Sequence, residues 1–217
     1  MIANVKKYAS VSGLIIGLFW ALCYYLLSVL ISAGWFPQPL AAGILVAAPL
    51  VITGGGRLKG FMDCAYDRTL STVFLFFAFY ASALSLDFEN ENYFILIFIP
   101  LILRCCGKIA LSVMPASIGS DEEKFQKTVD NKKLAVWFAI VIIAAVLGTV
   151  ITKFYGLAIV AGLNGFFLTL MYAYRKNDGV SENVVDYAMI NGEAWAFMMF
   201  ALVNPFVDYF MNKVLAF

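Results

Sequence analysis

The sequence predicts an all-α fold: a polytopic integral membrane helical bundle with about seven transmembrane helices. Of its 217 residues, 63% are hydrophobic and only 13% are charged, whereas a soluble domain has roughly 45–50% apolar and about 25% charged residues. Apolar segments near the ~20 residues that cross a bilayer as a helix recur along the whole chain. They leave no room for a separate soluble domain, so we expect one integral membrane domain over residues 1–217.

Each apolar segment accounts for one predicted crossing. Lys6 and Lys7 precede the first segment, which exceeds the ~7–15-residue core of a cleavable signal peptide and therefore indicates a retained span. The segments are 11–33, 38–55, 70–86, 93–114, 134–152, 155–174 and 187–203. The tail from Pro205 could finish the seventh helix, lie at the membrane interface or pair with another subunit.

Basic residues alternate between the connections, which predicts the orientation of the chain. Lys and Arg cluster before the first span and after the second, fourth and sixth, whereas each other connection holds at most one. Cytoplasmic loops are enriched in Lys and Arg. We therefore expect the N-terminus and the connections around 56–69, 115–133 and 175–186 on the cytoplasmic side of the cell's inner membrane.

The reactive side chains in the sequence limit the groups that could act in catalysis. There is no histidine, and the four cysteines lack the spacing of a zinc site or a disulfide framework. Catalysis would therefore depend on carboxylates, Lys, Arg, Tyr or backbone groups. Nothing resembles a Walker loop, a catalytic triad or a dinucleotide fingerprint, and we expect no nucleic-acid partner.

The first candidate site is "ITGGGRLKGFMDCAYDR", residues 52–68. Lys59, Asp63 and Asp67 are spaced by four, so a helix that continues past Gly60 would place them on one face. Two carboxylates there would form a platform for Mg²⁺, and the preceding glycines would let backbone N–H groups approach a phosphate. An interfacial Lys59–Asp63 ion pair that caps a helix is an alternative of equal weight.

The second candidate site is "LRCCGK" in the fourth span, where Arg104 and Lys108 lie one helical turn apart. Charge at this depth is costly, so it normally faces the protein interior, a wet cavity or an anionic ligand. A guanidinium also suits bidentate phosphate binding, which favours a functional Arg104. Snorkelling to the headgroups is the alternative, and it is easier for Lys108.

The third candidate site lies at the start of the seventh span. Asp186 and Glu193 are seven residues apart and so share a helix face. Glu193 would lie about two turns into the apolar region, where a carboxylate must be protonated, paired or bound to metal. We favour a functional Glu193 over an Arg-paired structural one.

Three clusters of acids and bases on one side of the membrane favour metal-assisted transfer of a phosphate-linked group on a membrane-embedded substrate. A transporter would also hold intramembrane charges, but its sites are expected near the midplane. A CDP-alcohol phosphotransferase would fit the setting, but its D-x-x-D-G-x-x-A-R run is absent.

Three stretches, "LVITGGGRLKGFMDCAYD", "RCCGKIALSVMP" and "YRKNDGVSENVVDYAMINGEA", resemble the cobalamin synthase family, adenosylcobinamide-GDP ribazoletransferase, in order and spacing. The opening "GLIIGLFWALCYYLL" is similar to that family's first span. The resemblance implies a membrane enzyme that uses Mg²⁺ to join adenosylcobinamide-GDP to α-ribazole or its 5'-phosphate. GMP is released, in the last steps of cobalamin biosynthesis. Its partners would be the lipid bilayer and these corrinoid and nucleotide-linked small molecules. A homo-oligomer is a further possibility.

The resemblance is partial at the signature positions. The matching residues are Thr53, Gly54, Gly55, Leu58, Gly60, Asp63, Gly192 and Glu193. The family's histidine falls on Arg57, its first and third aspartates on Lys59 and Tyr66, its glycine–aspartate pair on Glu182 and Asn183, and an upstream glutamate on Ile190. Losing two aspartates and gaining a lysine changes the local charge by about three units, which weakens a divalent-cation site. A family segment between the second and third spans is also missing.

Residue reasoning and the resemblance together give the expected roles. The expected catalytic residues are Asp63, Lys59 and Glu193; the substrate-binding residues are Gly54, Gly55, Arg57, Arg104 and Lys108; and the Mg²⁺ ligands are Asp63, Asp67, Asp186 and Glu193. Asp67 would supply the carboxylate that Tyr66 lacks, and Lys59 would neutralise Asp63 or bind phosphate in place of metal. The alternative is a homologue that has lost transfer activity and binds a corrinoid or nucleotide-linked intermediate, or serves as a structural partner.

Overall fold

The computed structural model describes residues 5–86, 88, 91–116, 121–127 and 129–214. Its α-helices are α1 (Val5–Ser32), α2 (Gln38–Ile52), α3 (Gly56–Cys64), α4 (Arg68–Leu84), α5 (Ile95–Val113), α6 (Asp121–Gln126), α7 (Asn131–Thr152), α8 (Gly156–Lys176) and α9 (Glu182–Val214). Single 3₁₀ turns lie at Glu91–Phe94 and Lys153–Tyr155. Within the described ranges β-pairing is limited to an isolated bridge between Ala116 and Val180. The predicted all-α helical bundle is confirmed.

The second predicted span ends earlier than expected. α2 ends at Ile52, and α3 leaves it at a bend of 93°. Gly54 N–H donates to Val51 O at 3.0 Å and Gly55 N–H donates to Leu50 O at 3.1 Å, which is the pattern of a Schellman C-cap. Both glycines have positive φ, 63° and 71°, a conformation that side chains with a Cβ rarely adopt. The glycine run therefore turns the chain instead of extending the span.

Helices α1 and α5 pack with their backbones in contact. A Cβ on Gly13 would lie 2.8 Å from Pro100 O, and a Cβ on Gly17 would collide with Ile97 O. The two glycines are four residues apart on one face of α1, the spacing that lets membrane helices approach closely. A similar contact joins α8 to α9, so small residues set the layout of the bundle.

Helices α7 and α8 form an antiparallel hairpin. Their combined run of 46 residues, Asn131–Lys176, holds an apolar stretch long enough to cross a membrane, but the chain breaks at Lys153, whose φ is 53°. A Cβ on Gly148 would lie 2.6 Å from Ile159 Cδ1, whereas residues this far apart along a straight helix are separated by roughly 16 Å. α7 then packs on α5, and α8 packs on α9.

The apolar helices identify a membrane protein. By length and composition, the described segments that can cross a bilayer are Ser10–Ser32, Asn92–Val113 and Asn131–Lys176, with the bent pair α2 and α3 as a further candidate. α4 is apolar but shorter, at 17 residues. The count of seven crossings stays a prediction. α9 continues through Pro205 to Val214, so the tail extends the last helix.

An aromatic core joins the helices that carry the polar side chains described below. Trp20 of α1 stacks on Phe197 of α9 with ring centroids 5.2 Å apart. The Trp20 indole N–H donates to Leu45 O of α2 at 2.9 Å. Because this N–H has a partner, a large aromatic side chain can be fully buried between α1, α2 and α9.

Candidate functional site

Helix α3 lies antiparallel along the first part of α9. Arg57, in the first turn of α3, contacts Glu193, whereas Asp63 near its end contacts Asn183. Residue numbers therefore rise along α3 as those of their partners fall along α9. This register brings the glycine-rich signature and the last acidic motif side by side, although 136 residues separate Arg57 from Glu193.

A buried ion pair joins the two helices. Arg57 Nη2 lies 2.9 Å from Glu193 Oε1, and the two side chains are only 1% and 4% exposed. In such a dry place, each charge depends on the other for solvation. Of the states open to a carboxylate at this depth, the structure shows Glu193 paired with arginine.

A second buried guanidinium lies next to this pair. Arg104 of α5 is 0% exposed, and its Nη1 donates to Ser12 Oγ of α1 at 3.1 Å. Arg104 interacts electrostatically with Arg57, Glu193 and Asp186. We call the set Ser12, Arg57, Arg104, Asp186 and Glu193 the polar cluster. Its members come from α1, α3, α5 and α9, and two basic groups face two acidic ones.

Asp186 reaches the polar cluster because Gly60 leaves room for it. A Cβ on Gly60 would lie 2.8 Å from Asp186 Cβ and 2.9 Å from its Oδ2. Asp186 precedes the apolar part of α9, and burial raises the pKa of its carboxyl to about 7, although Arg57 and Arg104 act to lower it. Within the described part of the chain, Oδ1 of this buried carboxyl has no hydrogen-bond partner.

Replacing Gly60 with alanine should therefore separate α3 from α9. We expect the overpacked Cβ to lower the free energy of unfolding by about 1–3 kcal/mol. Thermal and denaturant unfolding of the detergent-solubilised protein would measure the change. Gly43→Ala is the matched control, because outside the adjoining backbone of α2 no heavy atom of the described residues lies within 4 Å of a Cβ there. Equal stability of the two variants would contradict the close contact between Gly60 and Asp186.

The remaining acids of the signature lie at the surface. Asp63 is exposed, with Oδ1 at 3.5 Å from Arg68 Nη2 and Oδ2 accepting from Asn183 Nδ2 at 3.4 Å. The alternative Lys59–Asp63 ion pair is not formed, and Lys59 is exposed. α3 ends at Cys64, so the expected helical row from Lys59 to Asp67 is wrong at its last member.

Asp67 instead caps the next helix. Its Oδ1 accepts from Leu70 N–H at 2.8 Å, which satisfies an otherwise unpaired donor in the first turn of α4. Gly54 and Gly55 also have structural partners, because both N–H groups donate to carbonyls of α2. These two amides are therefore not available to a phosphate in this structure.

Lys108 is directed away from the polar cluster. Its Nζ lies 4.7 Å from the centroid of the Trp137 ring on α7, within the range of a cation–π contact. Arg104, one helical turn earlier, contacts Ser12 on α1. The two bases that the sequence placed together thus contact different neighbours.

The four predicted Mg²⁺ ligands do not form one site. Asp67 caps α4, Asp63 is exposed between Arg68 and Asn183, and Glu193 is buried against Arg57. Across the ranges that the structure describes, no group of three or more His, Cys, Asp or Glu side chains could hold a metal ion. The residues present do not fit a four-carboxylate cage.

Comparison with known proteins supports the resemblance that the sequence motifs indicate. A family model described as cobalamin-5-phosphate synthase matches residues 1–66. Adenosylcobinamide-GDP ribazoletransferases from Clostridium botulinum and Clostridium perfringens are 26% and 25% identical to the chain, covering 88% and 92% of it and 83% and 88% of their own lengths. The chain is similar to members of the cobalamin synthase family. No solved structure matches it.

The structure gives partners to several residues that depart from the cobalamin synthase signature. Arg57, at the histidine position, pairs with Glu193. Asn183, at an aspartate position, donates to Asp63. Tyr66, at another aspartate position, is exposed, and Lys176 Nζ lies 5.8 Å from the centroid of its ring. Two acidic positions of the family signature have thus become neutral, and each of these two side chains has a neighbour.

Ile190, where the cobalamin synthase signature has a glutamate, lines a small cavity beside Glu193. The cavity has a volume of about 20 Å³ and lies between α2, α4 and α9, room for about one water molecule. Its lining residues are Val46, Pro49, Leu50, Leu75, Phe76, Phe79, Ile190 and Glu193. Glu193 is the charged residue among them, so this side of the ion pair is apolar.

Three residues of the site region were missed by sequence reasoning. Ser12 binds Arg104, Glu122 of α6 accepts from Glu182 N–H at 3.2 Å at the start of α9, and Lys176 donates to Cys64 O at 3.1 Å at the end of α3. An acid at a helix N-terminus and a base at a C-terminus follow the helix dipole. The sequence offered no signal, because each partner comes from a distant segment.

Ser12→Ala should loosen Arg104. Hydrogen bonds to charged groups contribute about 1.5–3 kcal/mol, and we expect a loss of stability of about that size in detergent. Ser28→Ala on the same helix is the control, since the Ser28 hydroxyl is exposed and donates to Tyr25 O of its own helix. A loss in Ser12→Ala no larger than in Ser28→Ala would contradict the buried contact.

Proposed function

We propose that this protein is a cobalamin synthase-type transferase that joins adenosylcobinamide-GDP to α-ribazole or its 5'-phosphate. Release of GMP requires that a hydroxyl of the ribazole attack the corrinoid-linked phosphorus while the bond to the GMP oxygen breaks. The observation that supports this proposal is the convergence of Arg57, Arg104, Asp186 and Glu193 in one polar cluster. The two curated relatives, which carry this activity in their names, cover most of the chain.

In this proposal the cationic side chains bind the diphosphate. Arg57 and Arg104 provide planar, permanently charged groups of the kind that bind phosphate in a bidentate manner. In a dry site, such fixed charges stabilise the negative charge that develops on the phosphoryl oxygens. Lys59, exposed on α3, would contact the outer phosphate. We assign Lys108 no binding role, because it packs on Trp137.

We propose that Asp63 is the carboxylate that contacts the attacking hydroxyl of the ribazole. It is exposed at the end of α3, and Arg68 and Asn183 orient its two oxygens. A positioned carboxylate can accept the proton of the attacking hydroxyl. The Mg²⁺ requirement stays a prediction. Because Mg²⁺ is often held by one or two carboxylates together with substrate phosphates, Asp63 would help to hold the ion, which would neutralise charge on the diphosphate.

We propose that the site lies on the cytoplasmic side of the inner membrane. Ser12 lies near the start of α1, Arg57 follows α2 and Asp186 lies near the start of α9, and each of these segments is next to a connection that is rich in Lys and Arg. The positive-inside rule would place these connections in the cytoplasm. Assembly into a homo-oligomer stays a prediction.

A direct assay tests the proposed activity. Purified protein that is given adenosylcobinamide-GDP, α-ribazole and Mg²⁺ should release GMP, and Asp63→Ala should reduce turnover at least about 100-fold, the lower range for general acid–base catalysis. Asp121→Ala is the matched control, since Asp121 is an exposed acid paired with Lys124. Equal turnover in the Asp63→Ala and control variants would remove Asp63 from the reaction. Omitting Mg²⁺ tests the need for the ion.

The second candidate function is binding without transfer. In this alternative the protein has lost transfer activity and binds a corrinoid or nucleotide-linked intermediate, or supports other enzymes. The observation that favours it is the closed Arg57–Glu193 pair, which occupies a carboxylate that matches the family signature. Calorimetry separates the two: corrinoid binding that ignores Mg²⁺, without GMP release, supports the alternative, whereas Mg²⁺-dependent turnover rules it out.

A further inference from the structure

The carboxylate of Glu193 already has a cation in contact with it. Arg57 Nη2 lies 2.9 Å from Glu193 Oε1, and the pair is almost completely shielded from solvent. The neighbouring guanidinium of Arg104 adds a second positive charge to the same region. A divalent ion that approached Glu193 would therefore meet two fixed positive charges in a poorly solvated place, where repulsion is little screened.

The acidic side of the polar cluster has the composition of a cation site. Asp186 and Glu193 share one face of α9, and both interact electrostatically with Arg57. Oδ1 of Asp186 is buried and has no hydrogen-bond partner in the described part of the chain. Hard divalent cations favour two carboxylates completed by water or phosphate oxygens.

We propose that the Arg57 guanidinium occupies the cation position beside Glu193, so that Glu193 does not ligate a divalent ion in this protein. Removing the guanidinium would open a divalent-cation site made by Asp186 and Glu193. The side chain thus provides permanently the positive charge that a dissociable metal would otherwise bring to this carboxylate. The proposal concerns ion binding alone and does not depend on transfer activity.

Mn²⁺ binding tests the proposal without any substrate. Free Mn²⁺ is followed by electron paramagnetic resonance during titration of detergent-solubilised wild type, Arg57→Gln and the double variant Arg57→Gln/Glu193→Gln. We expect Arg57→Gln to bind Mn²⁺ at least about tenfold more tightly than the wild type, because a unit charge in contact is removed. The double variant should lose this gain. Lys127→Gln, which alters the exposed Glu123 ion pair, is the matched control and should change affinity less than about twofold.

Two outcomes would overturn the proposal. One is an Arg57→Gln variant that folds but gains no Mn²⁺ site dependent on Glu193. The other is a wild type that binds Mn²⁺ about tenfold or more tightly than the double variant, since Glu193 would then be a ligand with Arg57 in place. If Arg57→Gln does not fold, the wild type and the double variant still decide, because each keeps equal numbers of buried acidic and basic side chains in the polar cluster. Equal Mn²⁺ affinities in these two support the proposal.

Discussion

Replacing Glu193 with alanine is expected to lower the free energy of unfolding by about 3–5 kcal/mol, the effect of removing one partner of a buried ion pair. The change leaves the guanidinium of Arg57, whose side chain is only 1% exposed, without its partner carboxylate. Thermal and denaturant unfolding in detergent would measure the loss. Glu123→Ala is the control, because the Glu123–Lys127 pair has the similar length of 3.1 Å but is exposed. This substitution should lower the free energy of unfolding by less than about 1 kcal/mol.

The double variant Arg57→Met/Glu193→Leu shows whether the ion pair itself causes that loss. Apolar side chains of similar volume often replace a buried ion pair at little cost. We therefore expect stability within about 1 kcal/mol of the wild type, together with loss of any phosphate binding that depends on Arg57. A double variant as unstable as Glu193→Ala would show that packing at Glu193, and not charge pairing, is what holds α3 to α9.

Gly17→Leu is expected to have an effect of similar size, about 3 kcal/mol or more, at the upper end for overpacking. Even a Cβ at this position would collide with Ile97 O, so a leucine must push α1 away from α5. Because Ser12 and Arg104 join the same two helices, their hydrogen bond should be lost as well. The loss of stability is measured by unfolding in detergent.

Gly43→Leu on α2 is the matched control for Gly17→Leu. Apart from the adjoining α2 backbone, no heavy atom in the part of the chain that the structure describes lies within 4 Å of a Cβ at Gly43. The larger side chain should therefore change stability by less than about 0.5 kcal/mol, as for substitutions away from packed contacts. If both leucine variants retain wild-type stability, α1 and α5 do not touch through their backbones. If both fail to fold, apolar bulk alone disturbs the protein.

The helices could be predicted from the sequence because apolar runs and charged connections alternate along it. The predicted span 134–152 agrees with α7, and 155–174 agrees with α8, to within three residues at each end. The predicted span 38–55 is longer than α2, since the apolar pattern does not show that Gly54 and Gly55 adopt positive φ and turn the chain. The helical row expected from Lys59 to Asp67 likewise does not show that α3 ends at Cys64 and that Asp67 caps α4.

The arrangement of the site could be predicted only where it depends on helix periodicity. The seven-residue spacing placed Asp186 and Glu193 on one face of α9, and both do face α3. The partner of each charge depends on how distant helices pack, as with Ser12 and Arg104, which are 92 residues apart. Periodicity likewise could not separate Arg104 from Lys108, because positions one turn apart still diverge enough to contact different neighbours.

A double-mutant cycle on Arg57→Gln and Glu193→Gln tests most directly whether α3 and α9 are joined through a buried charge pair. The free energies of unfolding of the wild type, the two single variants and the double variant give the coupling energy between the two side chains. The structure predicts a coupling of about 2–3 kcal/mol, near the upper end for residues in contact. Additive effects, with a coupling within about 0.5 kcal/mol of zero, would place the two side chains apart and contradict the site described here.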